Sequence, residues 1–483
     1  MKAINWSNII YVVGIGLIFE SIFMIFPVLI SYFSGEPHHF PLYLSFFITL
    51  SAGLAAFGFT RKKFKSNPHI RQGFMAVTAI WIMMPLFGTL PYLITGMIPR
   101  FADALFESVS GFTTTGSSIL THIEAMPRSL LFWRAETHWI GGMGIIVLVI
   151  AVIPHFRAGA RSLLVSEGSL FGIDKFKPKF IEVAKRLWII YFVLTFAQII
   201  ALRIAGMNLF DAVCHAFATI ATGGFSTKDT SLAGYSPAIQ YITTFFMFLA
   251  GMNFSLHYLF VHGKFKAVFR NEELRVYTAL ILTVSLIITF LLFTDYHDIE
   301  KSFRLAAFQV VSIITATGFA TADYETWPHM AKILMFVIMF AGASIGSTGG
   351  GIKIARYVVF FKAVRKIIRD KVVKNIVQGV KMNGKILDQP IVFQAMIFIA
   401  LYYLTFFAGS VIMVGLGNDA ATSVSSVITT MGGIGPGFGA VGPTENFYYL
   451  NDLSKYYLDF SMIIGRLEIY PVISLFLPLF YKI

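Results

Sequence analysis

KSFRLAAFQVVSIITATGFAT, residues 301–321, is an apolar helical stretch that gives way abruptly to threonine and glycine. It is too short to cross about 30 Å of hydrocarbon, which takes about 20 residues, yet too apolar for an ordinary loop. Three further segments share its pattern: FADALFESVSGFTTTGSS (101–118), LFDAVCHAFATIATGGFST (209–227) and NDAATSVSSVITTMGGIGPGFG (418–439). Aligned on Gly116, Gly223, Gly318 and Gly435, they recur at intervals of 107, 95 and 117 residues. Each lies between one outward-going and one inward-going apolar stretch. The unit is therefore helix, pore loop, helix, repeated four times in one chain.

Ten stretches have the length and apolarity of a span: 8–33, 41–60, 74–98, 129–154, 187–206, 238–262, 276–294, 330–362, 391–416 and 456–480. The first is too long for a cleavable leader and reads as a span. The composition agrees. The 483 residues are 56% apolar and 13% charged, with a mean hydropathy of +0.73, where a water-exposed globular surface requires about 25% charged residues. Cys214 is the only cysteine, which excludes a disulfide framework and thiolate metal sites.

The net charge of +13 would suggest a nucleic-acid partner in a soluble protein, but its distribution says otherwise. With both termini cytoplasmic, 28 of the 38 Lys and Arg fall on the cytoplasmic side, in 61–72, 155–187, 262–275, 353–385 and at Lys2 and Lys482. That is the distribution expected of cytoplasmic loops. The acidic residues gather on the outer side, where they are either ordinary solvated charges or raise the local concentration of cations. No nucleic-acid partner is expected; the bilayer is.

Two spans per repeat give every copy the same orientation, so the symmetry axis runs along the membrane normal, unlike the inverted repeats of many transporters. Four loops can then meet on one axis. Non-helical backbone at membrane depth must be buried in protein or line water, and an ion pathway satisfies both conditions. Glycine lets successive carbonyls turn inward without strain, and a ring of carbonyls replaces the hydration shell of a large monovalent cation. The expected walls are Thr114-Thr115-Gly116-Ser117, Ala221-Thr222-Gly223-Gly224, Ala316-Thr317-Gly318-Phe319 and Gly433-Ile434-Gly435-Pro436. The short helices point their negative ends at the axis, which favours a cation. A fourth-wall isoleucine, where the other walls have threonine, is the one departure in this alignment.

The fourfold pattern, together with FWRAETHWIGGMGIIVLVIAVIP (132–154), GSTGGGIKIAR (346–356) and IIGRLEIYPV (463–472), resembles the superfamily of Trk, Ktr and HKT potassium transporters, its TrkH branch most closely. The resemblance covers nearly the whole chain. It implies an all-α polytopic membrane protein with four pseudo-symmetric repeats around one ion pathway and two extra N-terminal transmembrane helices. The expected division is 1–68, 69–180, 181–271, 272–384 and 385–483. The resemblance also implies potassium preference from an unbroken glycine set, a homodimer in the plasma (inner) membrane of a prokaryote, and cytoplasmic nucleotide-binding TrkA-type regulatory subunits. Potassium is the transported ion, with no cofactor and no catalytic constellation.

The eighth span contains AGASIGSTGGGIK (341–353), where glycine at roughly 1 kcal/mol per helix-interior site argues for a break. Gly342, Gly346, Ser347, Thr348, Gly349, Gly350, Gly351 and Lys353 form the candidate gate below the filter. A close helix packing through small residues is the plainer alternative. The stretch lacks the offsets of a phosphate-binding loop, and the glycines at 433–442 lack the strand-to-helix context of a dinucleotide fingerprint. Arg466, about ten residues into the last span, must face protein or water; it either repels cations below the filter and holds the gate, or pairs with Glu468. Arg134, Glu136 and His138 read as a structural ion-pair cluster, and Glu20 as a helix-contact residue. The basic stretch 356–375 suits anionic lipid or a cytoplasmic regulator equally. Two rival readings remain: a sodium-permeable or unselective relative, and a membrane enzyme or scaffold.

Overall fold

The computed structural model describes residues 5–64, 70–152, 180–372 and 379–476. Lys2, Lys482, most of the 155–187 loop and residues 373–375 of the basic stretch lie outside the described residues.

Two long helices open the chain, α1 (Trp6–Phe33) and α2 (His39–Arg61). They pack closely where Gly14 and Gly53 face each other, each within reach of the other's carbonyl. Small residues serve this purpose in lipid, where backbones must approach for dispersion forces to hold helices together.

The first repeat comprises α3 (Ile70–Gly88) with α4 (Leu90–Ile94), the short α5 (Phe101–Phe112) and α6 (Arg128–Val152). The second comprises α7 (Phe180–Ile204), short α8 (Leu209–Ile220), and α9 (Pro237–Gly251) followed by α10 (Phe254–Val261) and α11 (Phe265–Phe269). The third comprises α12 (Glu272–Tyr296), short α13 (Ile299–Ile314), α14 (His329–Ile338) and α15 (Ile354–Val372). A two-stranded hairpin, β1 (Lys381–Met382) and β2 (Lys385–Ile386), leads to the fourth: α16 (Gln389–Gly415), short α17 (Ala420–Gly432), α18 (Asp452–Arg466) and α19 (Tyr470–Phe476).

Two expected spans are corrected. The stretch 238–262 is not one helix, because α9 and α10 meet at 101°. Asn253 starts a new helix there by accepting from the Ser255 N–H, and the His257 ring engages the Leu249 carbonyl at 3.0 Å. The stretch 456–480 is also interrupted: α18 stops at Arg466, and Glu468 and Ile469 adopt left-handed φ values of 56° and 64°. The break expected in the third inner helix is present between Ile338 and Ile354. Among the described residues, α6 alone follows its pore loop as one unbroken helix.

The short helices α5, α8, α13 and α17 have 12, 12, 16 and 13 residues, about 18–24 Å at 1.5 Å per residue. None can span. Side chains cap three of their N-termini, Asn208 on the Asp211 N–H, Asp298 on that of Lys301 and Asp419 on that of Thr422.

Candidate ion filter and gate

All four short helices end in one way. Thr114, Thr222, Ala316 and Gly433 take left-handed φ values of 56°, 54°, 58° and 66°. The next N–H in each turns back to a carbonyl five residues earlier: Thr115 to Ser110 at 2.9 Å, Gly223 to Ala218 at 2.7 Å, Thr317 to Ser312 at 2.8 Å and Ile434 to Thr429 at 2.8 Å. This is the Schellman closure of a helix C-terminus. Holding three non-glycine residues there costs about 1–2 kcal/mol each, a strain that accumulates at functional sites.

These closures set the register and correct the second wall. Counting from them, the matching glycines are Gly116, Gly224, Gly318 and Gly435, with φ of 83°, 82°, 84° and 95°. The second wall is therefore Thr222-Gly223-Gly224-Phe225. Ala221 is not part of it; it ends the helix, beneath a close approach from Gly142. The fourth wall is then not the only exception, since Gly223 stands where the first and third walls carry threonine.

The walls close into a ring. A Cβ on Gly116 would collide with the Gly223 carbonyl oxygen, one on Gly224 with that of Thr317, and one on Gly318 with that of Ile434; one on Gly435 would come within 3.0 Å of that of Thr115. Each repeat abuts the next, and the fourth abuts the first. The Ser117 hydroxyl also donates to the Gly435 carbonyl at 3.2 Å, across the first and fourth walls.

A buried frame supports the ring from behind. Arg134 of α6 pairs with Glu107 of α5 at 2.7 Å, donates to the Ser226 carbonyl at 3.1 Å and covers the Phe225 ring at 4.1 Å. The His138 ring engages the Gly111 carbonyl at 2.8 Å and accepts from the Phe225 N–H at 3.2 Å. The ion pair is thus Arg134–Glu107, and the cluster ties two walls together. The sequence motif 132–154 does not itself point to Glu107; its signal is a carboxylate four residues after Asp103 in an apolar helix. Removing one member of such a pair costs about 3–5 kcal/mol. Glu107→Ala is expected to lower unfolding stability by that amount in detergent, and Glu107→Gln by less. At the N-terminal ends of α13 and α17, Glu300 and Asp419 are held below the usual carboxylate range, by the hydrogen bond from Arg304 and by that from the Thr422 side chain respectively. Glu20 is fully buried in α1, its carboxylate near Gly88 of α3.

Below the ring, the non-helical segment of the third repeat fills the axis. Its neck is closed by the Gly342 N–H on the Ile352 carbonyl at 2.9 Å. The Thr348 hydroxyl donates to the Ile220 carbonyl at 3.0 Å and contacts the Thr222 hydroxyl at 3.2 Å. Gly349 and Gly350 press on the Thr315 and Gly432 carbonyls, at the ends of α13 and α17. Arg466 donates to the Thr348 carbonyl at 2.7 Å and to the Gly141 carbonyl of α6 at 2.8 Å. All four repeats are engaged at once. Lys353 donates to the Gly349 carbonyl, and Glu468 pairs with Arg356 of α15. A cavity of about 100 Å³ adjoins the loop, lined by Gly346 to Gly351, Lys353, Arg466 and Glu468 among others. Every sequence-derived gate residue is gathered here except Gly342, which forms the neck.

The TrkH family model, described as a cation transport protein, matches residues 38–479. The chain is 35% identical to the Trk system potassium uptake protein TrkH of Escherichia coli (strain K12), over 99% of this chain and 100% of that one. It is 35% identical to the TrkH protein of Halomonas elongata, over 98% and 99%. Among solved structures, the crystal structure of the potassium transporter TrkH from Vibrio parahaemolyticus superposes with a TM-score of 0.89 at 33% identity, covering 99% of this chain and all of that one.

Proposed function

The chain belongs to the TrkH family of cation transport proteins, and from that premise we propose a route and a gate for the ion. The protein takes up potassium across a membrane and is not an enzyme. Potassium passes along the axis of the four-walled ring, where the carbonyls of Thr115, Gly223, Thr317 and Ile434 and of the glycines after them replace its water. The one observation carrying this reading is that each wall touches the next until the circle is complete. Four helix C-termini aimed at that circle supply the negative potential a cation needs.

Flow stops where Thr348, Gly349 and Gly350 sit against the helix ends and Arg466 bridges the loop to α6. A fixed guanidinium at that depth repels cations as well as pinning the loop. The four repeats correspond to 69–180, 181–271, 272–384 and 385–483 behind the two-helix segment 1–68. The protein works in the prokaryotic inner membrane within a Trk system, with both termini cytoplasmic, as a homodimer opened by nucleotide-binding TrkA-type subunits. The charge bias and the resemblance support these last assignments.

The test is isotope flux into liposomes holding the purified chain, under an inside-negative voltage. Rubidium influx at least tenfold above sodium influx is the expected result. Equal fluxes would return the chain to the unselective class. No rubidium flux, with or without regulatory subunits, would overturn the proposed route.

A further inference from the structure

The bend of 101° after α9 turns the chain aside before α12 begins, so α10 and α11 lie in sequence between two long apolar helical elements. Two kinds of side chain predominate among the exposed residues of 260–270. Phe260, Val261, Phe265 and Phe269 are large and apolar, with Val261 77% and Phe269 66% exposed. Lys264, Lys266 and Arg270 alternate with them and are also exposed. Both acids that follow are already engaged: Glu272 pairs with Lys362, and Glu273 accepts the Ile345 N–H at 2.7 Å. Aromatic side chains interleaved with cations, continuous with the lipid-facing spans, fit the boundary between acyl chains and anionic headgroups. A water-exposed docking face for a protein would leave those four apolar side chains in solvent.

The same elbow holds the gate loop. Ser344 donates its N–H to the Gly251 carbonyl at 3.0 Å, and the Phe254 N–H donates to the Gly346 carbonyl at 3.1 Å. The Asn253 side chain lies against Gly346. The two residues flanking the bend therefore fasten the loop directly.

We propose that the 254–270 elbow is a binding site for anionic phospholipid headgroups, and that its occupancy keeps the gate loop seated. A ligand favours the conformation it binds better, and the elbow observed here is the one that fastens the loop. The coupling rests on the gate reading above; the lipid site does not.

Two measurements test it on the full chain. Binding of fluorescently labelled phosphatidylglycerol to the detergent-solubilised protein is followed by anisotropy, with labelled phosphatidylcholine as reference. K264Q/K266Q/R270Q is expected to weaken phosphatidylglycerol binding about a hundredfold, at roughly fivefold per cation, and to leave phosphatidylcholine unchanged. In liposomes, wild-type rubidium flux is expected to fall several-fold as phosphatidylglycerol replaces phosphatidylcholine. The triple variant should stay level and equal wild type in phosphatidylcholine alone. Identical anisotropy curves would remove the lipid site. Weakened binding with undiminished lipid sensitivity of flux would remove the coupling. A variant that keeps lipid affinity but no longer responds to the regulatory subunit would assign the surface to a protein. If wild type carries no rubidium in any lipid, the pathway reading fails while anisotropy still decides the lipid site.

Discussion

Gly116→Ser is expected to reduce the preference for potassium over sodium at least tenfold and to cut rubidium influx by a similar factor. Gly116 combines a φ of 83° with a neighbour that leaves no room for a Cβ, the Gly223 carbonyl oxygen. The added side chain strains the backbone by about 1–3 kcal/mol and forces that carbonyl away from the axis. Tenfold in selectivity is about 1.4 kcal/mol, so a shift of one ligand oxygen suffices. Gly35 supplies the control. Its φ of 69° is comparable, but nothing lies within 4 Å of a Cβ built there, so Gly35→Ala should leave the selectivity ratio unaltered. Paired rubidium and sodium fluxes measure both variants, and an unchanged ratio in Gly116→Ser would remove this ring from the filter role.

Arg466→Ala is expected to raise rubidium flux at least tenfold when no regulatory subunit is present. The guanidinium makes two charged hydrogen bonds, one to the loop at Thr348 and one to α6 at Gly141. Each contributes about 1.5–3 kcal/mol, so their loss shifts the balance between seated and withdrawn loop by more than the tenfold sought. Removing the charge also lowers the barrier to a cation at that depth. Arg466→Lys, which keeps the charge but cannot span both carbonyls with one planar group, should fall between. Flux in Arg466→Ala at or below wild type would show that the contact is structural.

The chain order displays the repeat plainly because polar, glycine-containing segments between spans have so few permitted explanations in a bilayer. The register of the second wall was harder to read, since Ala221-Thr222-Gly223-Gly224 offers two glycines and the threonine suggests the first. The pair Gly224-Phe225, matching Gly318-Phe319, was the better guide. The bend at 251–254 escaped detection because hydropathy is continuous across it; Asn253, a strong helix-starting residue, was its only mark. The alternative pairing of Arg466 with Glu468 is not formed, because the interruption of α18 turns them apart, one to Thr348 and the other to Arg356. The break between Ile338 and Ile354 was legible for the opposite reason: so many glycines inside one apolar span cannot remain helical.

In the gate proposed above, the loop belongs to the third repeat, Arg466 to the fourth, and the elbow that fastens the loop to the second. A channel assembled from four identical subunits would have to carry every such part in quadruplicate, and a single mutation would change all quadrants together. Tandem fusion into one polypeptide frees each quadrant to specialise alone, so Gly223, Ile434 and Arg466 can each be singular without spoiling the circle they share.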